Sequence, residues 1–215
     1  MTRTRQIPWW AVASAVTAPI AMIGGFLLAE SLQAGFDPVE ETISALAATT
    51  ASAPGVMTAG LAVTGVCHVI TALGLRGVPR AGRVVLAVGG VATAAVAALP
   101  VDVAGGPHGL AAGVAFAGLS LWPLGAWRRE GTGPLRREVA WGAAAVLTGL
   151  LVWFVLELQQ VTSTGGALTG ASERVVAGAQ AVWPLVVVLW LRRLITGGRA
   201  ARPPGRRGAR TAKDG

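Results

Sequence analysis

Six apolar runs, separated by short polar joints, divide the chain at about 8–30, 54–75, 83–101, 108–127, 139–160 and 174–195. A helix needs about 20 apolar residues to cross the ~30 Å hydrocarbon layer of a bilayer. Each run therefore predicts one span, and the whole pattern predicts an all-α membrane protein built as a bundle of six transmembrane helices. The first run, "IPWWAVASAVTAPIAMIGGFLLAE", is long and shows little of the small-residue pattern of a cleavage site, so it reads as a retained helix rather than a cleaved leader. After Ile195 the chain becomes "TGGRAARPPGRRGARTAKDG". Glycine, proline and positive charge without apolar partners cannot offset the entropy of ordering, which predicts a disordered basic tail over 196–215. Glycines recur inside the runs, as Gly24-Gly25, Gly60 and Gly65, Gly89-Gly90, and Gly109 with Gly113. In lipid, small residues let helix backbones approach closely.

The joint after the first run reads "FDPVEETISALAA" and crowds Asp37, Glu40 and Glu41 together. Asp37 is placed to be a helix N-cap, with Pro38 at the favoured first position and Glu40 at the third, a capping-box spacing. Val39, Ile43 and Leu46 then recur at helical spacing. The joint is expected to hold a short amphipathic helix, whose acids serve as cap and solvated face or else as a cation or ligand site.

Composition also points to lipid as the main solvent. Charged residues are 13% of the chain and mean hydropathy is +0.60, against about 25% charged in an ordinary soluble domain. The net charge of +8 does not point to nucleic acid, because the basic residues sit in joints and the tail rather than on one folded face. Of the 18 Lys+Arg, all but Arg174 fall in alternate joints: Arg3 and Arg5; Arg76, Arg80 and Arg83; Arg128, Arg129, Arg136 and Arg137; and the tail from Arg192 to Lys213. The positive-inside rule makes that side cytoplasmic. Six spans then put both termini inside a plasma membrane, with anionic lipid the natural partner of the tail. Trp9, Trp10, Trp127, Trp141 and Trp190 lie near the predicted cytoplasmic ends, where an indole buries its ring and hydrates its N–H. The single cysteine, Cys67, forbids an internal disulfide.

Candidate chemistry is sparse. In "LPVDVAGGPHGL" (99–110), Gly105-Gly106 could fold the chain so that Asp102 meets His108, a pair able to move protons near neutral pH. His68 lies inside the second run, where an ionisable residue is either hydrogen-bonded across helices or functional. Glu157 ends the fifth run. Glu173 and Arg174 open the sixth, with Ser172 as a candidate cap, and Arg174 is expected to converge with Asp102, Glu173 and His108. Two histidines at different depths do not suit a His-rich zinc site or bis-His haem, so no metal and no cofactor are expected. No phosphate loop, G-x-S-x-G elbow or H-E-x-x-H is present.

"DPVEETISALAA" after a first span, "LPVDVAGGPHGLAAGVAF" between the third and fourth, and "GASERVVAGAQAVW" opening the last resemble a bacterial integral membrane family, the domain of unknown function 998. The resemblance spans residues 10–195 and implies a six-span bundle without an assigned reaction. It places Ser44, Asp102, His108, Glu173 and Arg174 at the family's polar positions, all on the predicted outer side. The expected function is a non-enzymatic membrane module, such as a small transporter, lipid-binding or sensory component, working through this outer cluster. The alternative is an intramembrane enzyme on lipid or envelope substrates, with His108 and a carboxylate as acid and base.

Overall fold

The computed structural model describes residues 7–200. Its helices are α1 (Trp9–Ser31), α2 (Ile43–Leu46), α3 (Pro54–Gly74), α4 (Arg80–Ala98), α5 (Gly105–Leu121), α6 (Arg137–Leu158) and α7 (Thr169–Ala200), with no strand among the described residues. Five of these are long and apolar enough to cross a membrane: α1, α3, α4, α6 and Thr169–Leu194 of α7. The fourth expected span, 108–127, is instead α5 with 17 residues followed by a 3-10 turn at Trp122–Gly125. Pro123 lacks the N–H that would continue the α-helix, and the chain tightens there. By length and composition the count is thus five rather than six. Pro184, by contrast, is carried inside α7.

The six long helices pack in a ring in the order α1, α3, α4, α5, α6, α7, and α7 closes it against α1. Glycines make the crossings. A Cβ on Gly65 would lie 2.5 Å from the Gly90 carbonyl oxygen, and one on Gly89 would meet Leu119 at 3.0 Å. Gly25 and Gly60 face each other between α1 and α3 in the same way. Gly109 and Gly113 differ: a Cβ on either would meet nothing within 4 Å. Outside the ring, Ile20, Leu27, Val84, Val91 and Val146 are exposed, a surface that suits acyl chains and would be a liability in water.

Two apolar clusters fill the ring. One holds Met22, Phe26, Met57 and Leu61 together with Ile43 and Leu46 of α2; the other holds Leu75, Leu86, Leu119, Trp122, Val187 and Val188 at the opposite end. The joint between α1 and α3 therefore departs from the expected amphipathic helix. Only four residues are helical, Thr42 rather than Asp37 is the cap, and Thr42 Oγ1 accepts the Ala45 N–H at 3.2 Å. Ile43 and Leu46 are 2% and 1% exposed, so α2 is a plug seated between α1, α3 and α7. Asp37 closes a turn ahead of it. Its Oδ1 accepts the Val39 N–H, and its own N–H reaches Glu41 Oε1 at 2.9 Å. The reciprocal partner is Glu41 and not Glu40, which is exposed.

At the other end arginines close the helices. Arg83 Nε donates to the Ala72 carbonyl at 2.7 Å and Arg128 Nη1 to that of Gly77 at 3.1 Å, where cations complement the C-terminus of α3. The expected tail begins as helix, since α7 runs to Ala200. Its remainder, with the expected anionic-lipid contact, lies outside the described residues.

Candidate functional site

The start of α7 holds the plug in place. Gly170 permits the approach, because a Cβ there would strike the Glu41 carbonyl, and the Ala171 N–H donates to Val39 O at 2.9 Å. Arg174 completes the seam. Its Nη1 donates to Glu41 O at 2.9 Å and Gly170 O at 3.0 Å, while Nε and Nη2 donate to Glu30 Oε2 at 3.2 and 3.1 Å. Phe26 and Phe36 lie 5.5 Å from its guanidinium. The expected partners, Asp102 or Glu173, are replaced by Glu30, from the last turn of α1. Chain connectivity brings the end of α1 and the start of α7 side by side, 144 residues apart in sequence.

The remaining acids are each engaged separately. Asp102 accepts from Thr49 through the hydroxyl at 2.5 Å and the backbone N–H at 3.1 Å. The Thr49 hydroxyl, and then its N–H, hold the Asp102 carboxyl below the usual carboxylate range. Glu173, 4% exposed, accepts the Ile43 N–H at 2.6 Å, so α7 also grips the first turn of α2. Glu157 is buried and accepts from Thr164 Oγ1 at 2.7 and 2.9 Å and from the Leu168 N–H at 3.3 Å, which pins the loop ahead of α7. Ser172 lies inside the first turn of α7 rather than capping it, and its hydroxyl donates to Thr169 O.

His108 does not meet Asp102. Its Nδ1 lies 2.6 Å from the Leu99 carbonyl and its Nε2 lies 3.0 Å from Ser44 Oγ. A carbonyl only accepts, so Nδ1 carries the proton of the neutral ring and Nε2 presents its lone pair to the serine hydroxyl. Ser44 is the first polar side chain of α2 and is half-buried; His108 is 6% exposed.

Two hollows meet at Ser44 and Glu173. A groove of about 490 Å³ runs between α5 and α6, walled by Gly109, Gly113 and Phe116 on one side and Leu151, Phe154 and Val155 on the other. Thr42, Ser44, His108, Gln159 and Glu173 gather at its polar end. A second cavity of about 40 Å³ reaches from Ser44 and Glu173 inward past Thr93 and Gln180 to His68. His68 is fully buried, and neither ring nitrogen has a hydrogen-bond partner among the described residues. Beyond it the interior is filled by the cluster around Leu75, Leu86 and Trp122. Gln180 donates to Phe116 O and Ser120 Oγ, both at 2.9 Å. Gln180 was not singled out from the sequence, where its one signal is a polar side chain within the last apolar run.

Ser44, His108 and Glu173 thus share one site, while Asp102, Glu157 and Arg174 hold the loops around it. No group of three His, Cys, Asp or Glu side chains among the described residues is placed to hold a metal ion. Comparison with curated proteins and with solved structures finds no match. The family model described as Protein of unknown function (DUF998) matches residues 15–190, and this apolar helical chain belongs to that family.

Proposed function

We propose that this protein is a six-span module of the plasma membrane that binds an amphiphile at its outer side. The arginine-rich end faces the cytoplasm, α5 and its 3-10 turn make the sixth crossing, and α2 plugs the outer end. The polar end of the ligand sits at Ser44, His108 and Glu173, and its apolar chain lies in the groove between α5 and α6. The groove carries this reading. Its 490 Å³ falls in the range of about 300–1,000 Å³ of small-molecule sites, and it has their composition, apolar walls with a few convergent polar groups. In a membrane its walls face acyl chains, so the natural occupant is a lipid of the outer leaflet. Gly109 and Gly113 supply the space that a packed helix would otherwise occupy.

Photo-crosslinking tests this. Phosphatidylglycerol with a diazirine in its acyl chain, mixed into nanodiscs with the full chain, should label peptides 105–121 and 151–158 above all others. Gly113→Leu should reduce that labelling several-fold and leave the melting temperature close to wild type. Label on α1, α3 and α4 equal to that on 105–121 and 151–158, indifferent to Gly113→Leu, would mean that the groove is ordinary lipid-facing surface.

A further inference from the structure

Ser44 and His108 are set as a nucleophile and its base. We propose that this pair transfers the acyl group of an ester-linked amphiphile lying in the α5–α6 groove to water; the proposal rests on the binding reading above.

Three observations converge on the pair. The Leu99 carbonyl, 2.6 Å from Nδ1, settles which nitrogen bears the proton and orients the ring. Nε2 is then the acceptor, and Ser44 Oγ stands 3.0 Å from it, within the reach of about 2.6–3.2 Å that general-base activation requires. A carbonyl orienter, a histidine base and a hydroxyl nucleophile reproduce by geometry the relation found in triads, without a sequence motif. The third observation is access. Ser44 and His108 both line the polar end of a groove whose length is apolar, so an ester carbonyl at the head of an acyl chain would be delivered to the hydroxyl.

The chemistry balances with water alone. Ser44 Oγ forms a bond to the carbonyl carbon while its proton passes to His108 Nε2. The carbon–oxygen bond to the alcohol then breaks, and the alcohol leaves with the proton from Nε2. Water attacks the acyl-serine, gives its proton to Nε2, and the serine oxygen departs and recovers that proton. Ester and water become acid and alcohol. The Thr42 hydroxyl and the Gln159 carboxamide, on the same groove, are the donors at hand for the oxyanion.

An alkyl fluorophosphonate of about the length of a lipid chain is the probe, applied to the full chain in nanodiscs and read by intact mass and peptide mapping. One adduct is expected, on Ser44. Ser44→Ala should abolish it, and His108→Gln should slow it about 100-fold or more, the usual worth of a general base. Ser44→Ala removes one oxygen from a half-buried position, so it carries the test if His108→Gln fails to fold. No adduct on Ser44, with diazirine lipid still labelling the groove, would overturn the acyl-transfer proposal and leave the binding reading standing. An adduct on Ser44 without lipid label in the groove would support the pair and overturn the binding reading alone.

Discussion

Arg174 shows how one charged side chain is held at the rim of a low-dielectric bundle. Its guanidinium makes two hydrogen bonds to Glu30, two to backbone carbonyls, and lies against two phenyl rings. Side-chain exposures of 12% for Arg174 and 19% for Glu30 mean that water screens the pair only in part. Losing either partner strands the other charge. A double-mutant cycle between Arg174 and Glu30 in detergent should give a coupling of about 1.5–3 kcal/mol, the usual worth of hydrogen bonds to charged groups. The same cycle with Asp102 should give a value near zero, because Asp102 is spent on Thr49. Equal coupling to both acids would contradict the geometry. Arg174→Lys should recover part of the loss, since an ammonium cannot reproduce the fork or stack on Phe26 and Phe36.

Among the elements, glycine has two opposite uses. At Gly65 and Gly90 it lets α3 and α4 touch backbone to backbone; at Gly109 and Gly113 of α5 it leaves open space. Gly65→Ala should therefore destabilise the bundle by about 1–3 kcal/mol through overpacking against a backbone that cannot yield. Gly113→Ala should be neutral or slightly stabilising, because alanine is the better helix former by about 1 kcal/mol. Melting temperatures of the two variants in one detergent decide the matter, and a comparable loss in both would show that α5 is packed on its groove side after all. Read from the sequence, all these glycines look alike as small residues within apolar runs. The two uses differ only in which helix stands opposite, which no local pattern records.

For the molecule as a whole, the arginine distribution predicts an orientation that fusions can test. A reporter fused at residue 131 and another fused after residue 200 should both report the cytoplasm, and one fused near residue 50 should report the outside. Matching compartments at 50 and 131 would break the six-span threading and, with it, the placing of the groove in the outer leaflet. The two ends of the bundle differ in what they hold. The end with α2 carries Ser44, His108 and Glu173 with the two hollows around them, while Leu75, Leu86, Trp122 and Val188 pack at the arginine end, where a further hollow of about 490 Å³ lies among Trp127, Arg128, Arg129, Arg136 and Arg137.

The sequence alone determined the solvent, the helical class, the approximate span boundaries and the sidedness expected of the chain, because length, hydropathy and arginine placement act locally along it. α1, α3, α4 and α6 begin and end within a few residues of their apolar runs. It also marked His108 and Glu173 as polar positions worth attention, and the family resemblance added Ser44. Only the tertiary structure decided who meets whom. The turn at 100–104 carries Asp102 away to Thr49 and leaves His108 to Leu99 and Ser44. Glu30 reaches Arg174 because α7 closes the ring against α1. The stretch beginning at Asp37 had enough helix signals for three turns, yet only one formed. Burying Ile43 and Leu46 in the mouth of the bundle, with Glu173 holding the first N–H, outweighed the local preference of an exposed helix. A hydrogen-bonded pair across 64 residues leaves no periodicity to read, so the site became visible only when the ring was closed.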